Sequence, residues 1–282
     1  MNSAKLLFSQ RLKQEKPMIM GILNVTPDSF SDGGQYAAAD AALKQALAMV
    51  EAGAEVIDVG GESTRPGSER VPAEEQLRRV LPVMESLVPA LPSGVSISID
   101  TTLSQVAEAA LKAGAVIIND VSAGRDDPAM FQLVAEHGAC MVLMHMHGSP
   151  KTMQDNPGYE DVVAEVLDFL SQRAEIAQSQ GIPPENLILD PGIGFGKRKI
   201  DNLKLLAHLE RFVAAGFPVL LGASRKRFMG SILEISDPKE LVSATVATTT
   251  LGVLAGVKIF RVHDVKENRQ ALEVTWSIKQ SR

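Results

Sequence analysis

The sequence predicts a (β/α)8, or TIM, barrel, and three observations carry that prediction. Eight short apolar runs, rich in β-branched residues, recur along the 282 residues, each followed by a turn and an amphipathic stretch of helical period. The runs are almost continuously apolar, as strands of a parallel sheet buried on both faces are. Nearly every run ends in a polar residue, at the carboxyl ends of strands where barrel enzymes place their chemistry.

The elements follow in order. Met18–Leu23 is the first strand and leads to Asn24. A polar loop, Asn24-Val25-Thr26-Pro27-Asp28-Ser29-Phe30-Ser31-Asp32-Gly33-Gly34, precedes a helix over Ala38–Ala52, closed by Gly53. Glu55–Val59 is the second strand and carries Asp58. A second polar loop, Gly60 to Ser68, precedes a helix over Ala73–Leu87. Both loops have the Gly, Ser and Thr content of movable covers over a barrel mouth. Val95–Ile99 ends at Asp100 and precedes a helix over Leu103–Ala113. Ala115–Ile118 ends at Asn119-Asp120, before a helix over Pro128–Glu136. Ala139–Met144 ends at His145, before a helix over Tyr159–Gln180. Asn186–Leu189 ends at Asp190 and opens Asp190-Pro191-Gly192-Ile193-Gly194-Phe195-Gly196-Lys197, before a helix over Asp201–Ala215. Pro218–Leu221 leads to Ser224-Arg225-Lys226 and a two-part helical stretch, Ser224–Leu233 and Pro238–Ala255. Val257–Val262 carries Arg261, leads to His263, and is followed by a last helix over Asp264–Ser281. An open doubly wound sheet would want a glycine-rich phosphate turn after its first strand, and Gly21-Ile22-Leu23-Asn24-Val25 is not one.

Composition bounds the function. Apolar residues are 45% and charged residues 22%, as in a globular chain, and no linker or composition break divides residues 1–282 into separate domains. The net charge of -6 gives no general attraction to nucleic acid or an anionic membrane. The chain carries one cysteine, Cys140, in an apolar run, so it is expected in the core. The first residues turn polar too soon for a signal peptide, and no apolar run reaches the ~18 residues of a membrane span, so a cytoplasmic enzyme is expected.

The polar strand ends have two chemical characters. Asp58, Asp100, Asn119, Asp190 and Lys226 are rich in acceptors and suit a flat heterocycle with a guanidine-like edge, because a carboxylate accepts two N–H bonds side by side. Asn24, Arg65, Arg261 and His263 suit an anion, a phosphate or pyrophosphate. Ser224, near an expected helix start, adds backbone N–H groups to that set. Each Asp or Asn alone could be a helix cap, Asp100 before Thr101-Thr102 among them; eight strand ends of the same kind are harder to explain so. The glycines of Asp190–Lys197 read as allowing close backbone approach to a ligand, with Phe195 as a stacking residue. That string matches neither the dinucleotide fingerprint nor the P-loop, which needs Ser or Thr after its Lys. His145 and His147 lack a third metal ligand nearby, and His137 and His208 sit on helical stretches as surface residues.

These strings resemble dihydropteroate synthases, the folate-pathway enzymes inhibited by sulfonamides. The resemblance rests on Gly21 to Gly33, Gly60 to Gly67, Asp190 to Lys197 and Arg261-Val262-His263-Asp264-Val265, with Ser224-Arg225-Lys226 and Leu143-Met144-His145-Met146 in support, in order over nearly the whole chain. It implies a homodimeric barrel that joins 7,8-dihydropterin-6-ylmethyl diphosphate to 4-aminobenzoate, giving 7,8-dihydropteroate and diphosphate, with Mg2+. It further implies a pterin pocket of Asp58, Asp100, Asn119, Met144, Asp190, Gly222 and Lys226. Diphosphate would meet Asn24, Arg261 and His263, with Asn24 near Mg2+. The aminobenzoate would meet Thr64, Arg65, Pro66, Phe195, Lys226 and Arg227. Catalysis would fall to Asp100, Asp190, Lys226, Arg261 and His263. Many members have serine where this chain has Arg227; the residue meets the carboxylate through its charge or through its backbone N–H alone, and sulfonamide sensitivity does not follow. Two alternatives are a methyltetrahydrofolate methyltransferase and a non-catalytic pterin-binding barrel; neither needs the anion set that Arg261 and His263 supply.

Overall fold

The structure is a computed structural model, and it describes residues 3–25, 34–63, 67–148, 151–153, 155 and 157–281. Eight parallel strands form one sheet: β1 Met18–Asn24, β2 Val56–Gly60, β3 Ser96–Asp100, β4 Ile117–Asp120, β5 Cys140–Met144, β6 Leu187–Asp190, β7 Leu220–Leu221 and β8 Ile259–Val262. Their order is β6-β5-β4-β3-β2-β1-β8-β7. A parallel bridge between Leu189 and Val219 joins the two outer strands and closes the sheet into the expected (β/α)8 barrel.

Helices follow the strands: α2 Gly34–Glu51, α3 Ala73–Ala90, α4 Ser104–Ala113, α5 Met130–His137, α6 Val162–Ser179, α7 Lys199–Ala207, α8 Leu209–Val213, α9 Arg227–Leu233, α10 Val242–Ala255 and α11 Val265–Gln280. The expected helix over Asp201–Ala215 is two, because the chain turns at His208 (φ −126°, ψ 31°). There the His208 N–H bonds the Leu205 carbonyl, three residues back. No Gly or Pro marks that break in the sequence.

One helix was not anticipated, α1 Ser3–Lys13. It lies at the amino end of the barrel and buries Phe8 and Leu12 in a cluster with Met18, Met20, Val56, Ile117, Cys140, Val142, Ile188, Leu220 and Ile259. Cys140 is buried as expected. Lys258 Nζ, at the start of the β8 run, donates to the carbonyls of Gln14 and Lys16, which follow α1.

Strand alternation explains how the barrel positions a site. Ile57, Val59, Ile97 and Ile99 pack with residues of the surrounding helices, whereas Val56 lies with the interior cluster. By the period of two, Val56, Asp58 and Gly60 share the inward face of β2, and Ser96, Ser98 and Asp100 that of β3. Likewise Ile117 leads to Asn119, Val142 to Met144, Ile188 to Asp190 and Ile259 to Arg261. The interior is therefore apolar at the amino ends of the strands, with Ser96 and Ser98 of β3 as exceptions, and polar at their carboxyl ends. Pairing fixes the level: Asn24 lies opposite Gly60, Gly60 opposite Asp100, and Asp100 opposite Asn119.

Candidate active site

Four of the inward polar residues, Asp58, Asp100, Asn119 and Arg261, form one connected cluster. Asp58, Asp100, Asn119 and Asp190 are all buried. Asn119 Nδ2 donates to Asp58 Oδ2 at 3.0 Å. Arg261 Nε donates to the same oxygen at 2.6 Å, and its Nη2 to Asp100 Oδ2 at 2.5 Å. Arg261 starts four residues lower on the β1 ladder than Asn24, opposite Met20, and its long side chain reaches up to the carboxylates. The sequence divides the rim into a heterocycle set and an anion set; in the structure Arg261 joins them, because two buried carboxylates need a counter-ion and it is the cation in reach. Asp58 Oδ1 and Ser98 Oγ are buried with no partner among the described residues.

Burial dominates the electrostatics here. It pushes the Asp100 carboxyl up to about 7 against the pull of Arg261, and Asp190 up to about 6 against its bond from the Gly192 N–H. Burial works against the Arg261 charge too, but Asp58 and Asp100 outweigh it and raise its pKa above the ordinary arginine value. Burial, aided by Arg261 and Arg225, drives His263 down to about 3, so its imidazole is neutral.

None of the four acceptor residues is a helix cap. Asp100 serves Arg261, while α4 begins with Leu103 as its cap residue and has no side-chain cap bond. Asp190 Oδ1 accepts the Gly192 N–H at 2.7 Å. Asp120 does serve the backbone, accepting from Ser122 and Gly124 N–H groups, and so builds the loop after β4.

Across the mouth, His263 follows one residue past β8. Its N–H donates to Ser224 Oγ at 3.1 Å, and its Nδ1 lies 3.0 Å from the same hydroxyl. Ser224 is not at a helix start as expected: α9 begins three residues later, at Arg227, because Arg225 takes a left-handed conformation (φ 56°). Arg225 is held there by a two-bond ion pair with Asp264, at 2.9 and 2.5 Å, and by its N–H on Thr245 Oγ1. Lys226 Nζ stands 4.0 Å from the centroid of the Phe195 ring. Phe195 and Met144 are buried in one small apolar cluster with Val121, Met146 and Met153. Arg227 is exposed on α9. Thr64, Arg65 and Pro66, with the Thr26–Gly33 stretch, lie outside the described residues.

The loop after β6 packs closely on the chain itself. Its glycines permit close approach to the chain's own backbone. A Cβ on Gly192 would come within 1.9 Å of the His145 carbonyl oxygen, and one on Gly196 within 2.7 Å of His147. Both residues have positive φ, 68° and 63°. Lys197, which the sequence marked only as a departure from the P-loop, is fully enclosed by this fold-back, its Nζ on the carbonyls of Gly192, Phe195 and His145. The sequence offers only a weak signal for it, a run of glycines and apolar residues on its amino side, because Arg198 and Lys199 follow it directly.

His145 Nδ1 lies 2.9 Å from Lys197 Nζ, so its other nitrogen, Nε2, is the one left for any further ligand. Among the described residues no group of three or more His, Cys, Asp or Glu is placed to hold a metal ion. Asn24 Oδ1 and Asp100 Oδ2 both border the space over Gly60, 3.7 and 3.8 Å from where its Cβ would be. Among the described residues no helix is long and apolar enough to cross a membrane. A small cavity of about 20 Å³ opens beside Asp100, lined also by Glu62, Arg70, Thr101, Thr102, Val121, Asp126 and Met146.

Comparison with known proteins meets this geometry. The family described as pterin binding enzymes matches residues 20–263. A dihydropteroate synthase of Bacillus subtilis is 48% identical over 254 residues, 90% of this chain and 86% of that protein. The solved dihydropteroate synthase of Xanthomonas albilineans with 4-aminobenzoic acid is 46% identical, with a TM-score of 0.88, over 95% of this chain and 94% of that one. A structure of the enzyme from the same organism in complex with 7,8-dihydropteroate is 43% identical, with a TM-score of 0.84, over 95% of each chain.

Proposed function

The chain belongs to the pterin-binding enzymes, among the dihydropteroate synthases, and from that premise we propose how its own residues carry out the reaction. It is a transferase that joins 7,8-dihydropterin-6-ylmethyl diphosphate to 4-aminobenzoate and releases diphosphate. The observation that carries the residue assignment is the buried cluster of Asp58, Asp100, Asn119 and Arg261 at the strand ends. Asp58 Oδ1 is a buried acceptor with no described partner, suited to an N–H of a guanidine-like ring edge. Asp190 supplies a second carboxylate and Lys226 a donor, with Met144 and Gly222 shaping the pocket wall.

In the reaction the methylene C–O bond breaks, and the electron pair leaves with diphosphate. Positive charge spreads from the methylene into the pterin ring, where Asp58, Asp100 and Asp190 favour it. Arg261 receives the leaving charge: its Nε and one Nη2 proton serve the carboxylates, and Nη1 has no acceptor among the described residues. His263, neutral, contributes a hydrogen bond rather than a charge. The aminobenzoate nitrogen forms the new C–N bond and then loses its proton to solvent, so no strong general base is needed. Phe195 and Lys226 offer a ring face and a cation to the aminobenzoate, with Arg227 at its carboxylate and Thr64, Arg65 and Pro66 from the loop after β2.

Mg2+ suits the oxygens present. Asn24 Oδ1 is a hard donor beside Asp100, and Mg2+ is commonly held by one or two protein oxygens together with substrate phosphates. When bound there it would neutralise diphosphate charge.

A homodimer is proposed on the family resemblance. The packed helices α10 and α11 each carry exposed apolar residues at helical spacing, Leu251 and Leu254 on one and Val274 and Ile278 on the other. Formation of dihydropteroate from the two substrates, assayed with purified protein, tests the function.

A further inference from the structure

The chemistry above leaves Lys197 without a role. The residue is 3% exposed, yet it carries a potential charge. Its Nζ sits among four acceptors: the carbonyls of Gly192 at 2.9 Å, Phe195 at 3.1 Å and His145 at 3.2 Å, and His145 Nδ1 at 2.9 Å. An ammonium has three N–H bonds, so the surroundings satisfy it fully. No carboxylate touches it among the described residues. His145 is neutral, driven down to about 2 by burial and then by Lys197 itself, so its Nδ1 offers a lone pair when the ring proton is on Nε2. Burial lowers the Lys197 pKa to about 7, with Asp190 opposing.

The acceptors come from two places in the chain. His145 lies just past β5, and Gly192 and Phe195 lie on the loop after β6. The ammonium therefore links two rim segments through their backbones. The loop has two further anchors: the Gly194 N–H on Asn202 Oδ1 at 2.6 Å and the Tyr159 hydroxyl on the Gly196 carbonyl at 2.8 Å. What the loop presents is Phe195, whose ring faces Lys226 Nζ.

We propose that Lys197 is a positioning residue for the second substrate: its buried ammonium ties the end of β5 to the glycine loop and so sets Phe195 against Lys226. The proposal rests on the reading that Phe195 and Lys226 meet the aminobenzoate ring.

Lys197→Met keeps the side-chain length and removes every N–H. We expect KM for 4-aminobenzoate to rise about tenfold, while kcat and KM for the pterin diphosphate stay within about threefold, the split that marks lost binding rather than lost chemistry. Amide hydrogen exchange at residues 192–196 should quicken in the same variant. The decisive comparison is a cycle with Phe195→Ala: if Lys197 acts through Phe195, the double variant binds aminobenzoate no worse than Phe195→Ala alone. Lys197→Gln retains two N–H donors and serves if the methionine variant does not fold; its KM should lie between wild type and Phe195→Ala. A folded variant with unchanged KM, multiplying effects in the cycle, or kcat falling as far as KM rises would each overturn the proposal. The two readings separate cleanly. An inactive wild-type protein would sink the proposed function, whereas exchange at residues 192–196 would still show whether Lys197 holds the loop.

Discussion

Arg261 and Asp100 meet at 2.5 Å across the barrel mouth, and the same guanidinium holds Asp58 at 2.6 Å. One arginine is thus counter-ion to two buried carboxylates as well as the group expected to receive diphosphate. Removing it strands both acids, and breaking a buried pair in this way costs about 3–5 kcal/mol. Arg261→Ala should therefore lower Tm as well as abolish turnover. Adding Asp100→Asn should recover part of the lost stability, because one stranded charge is gone. Thermal denaturation of the two single variants and the double variant checks this; strictly additive losses would contradict the shared ion pair.

Pterin binding should weaken in acid. Burial holds Asp190 at about 6 and Asp100 at about 7, so each carboxylate acceptor becomes a protonated acid as pH falls through those values. A pterin lacking diphosphate, titrated calorimetrically from pH 8 to 5, should lose up to about tenfold in affinity per pH unit between 7 and 6, and up to about a hundredfold per unit below 6, where both acids are protonated. The stability sign is opposite. The folded chain holds these protons more tightly than the unfolded chain, so the two acids favour the fold most below about pH 4, near their unfolded values, and this share declines as pH rises through 6 and 7. Affinity that is flat or rises in acid would refute the role of the carboxylates.

His263 should not titrate near neutrality in the ligand-free protein. Its pKa is lowered to about 3, below the unfolded value of about 6.5, so protons below that pH bind the unfolded chain first. Its contribution to stability is intact above pH 6.5 and is lost by about 1.4 kcal/mol per pH unit below it, until pH nears 3. NMR titration of the imidazole checks this directly; a midpoint between 6 and 7 would show a charged rather than a neutral partner for Ser224.

Gly222→Ala separates fold from ligand. A Cβ at Gly222 would meet Asp190 Oδ2 at 3.7 Å and Leu220 at 4.0 Å, ordinary contacts that the protein accepts. Its Tm should change by less than about 2 °C, since no cavity or clash is created. The added methyl would project beside the Asp190 carboxylate, and KM for the pterin substrate should rise about tenfold. A fall in Tm with unchanged KM would make this glycine structural.

Much of this was legible because strand alternation leaves a plain trace in sequence. Asp58 and Asp190 each stand on the inward face of a strand that is otherwise apolar, Asp100 on one that carries Ser96 and Ser98 below it, and buried carboxylates in such places need a reason to be there. What the sequence hides is partnership. Nothing in the local pattern says that Arg261 reaches Asp58 and Asp100, more than 160 residues away. Lys197 was passed over for the same reason, since its acceptors are backbone carbonyls, which every residue has. Helix α1 escaped because its buried face is only Phe8 and Leu12, too short a stripe for a periodic signal. The glycines of the β6 loop show close approach in the sequence but not to what: Gly192 meets His145, Gly196 meets His147 and Gly194 meets Lys226.

The central claim is that this polar rim joins a pterin to an arylamine with loss of diphosphate. Purified protein incubated with 7,8-dihydropterin-6-ylmethyl diphosphate, 4-aminobenzoate and Mg2+ tests it most directly, with both products quantified. The account predicts dihydropteroate and diphosphate in equal amounts, and neither product from Arg261→Ala. Pterin binding without condensation by the wild-type protein, or condensation undiminished in Arg261→Ala, would contradict it.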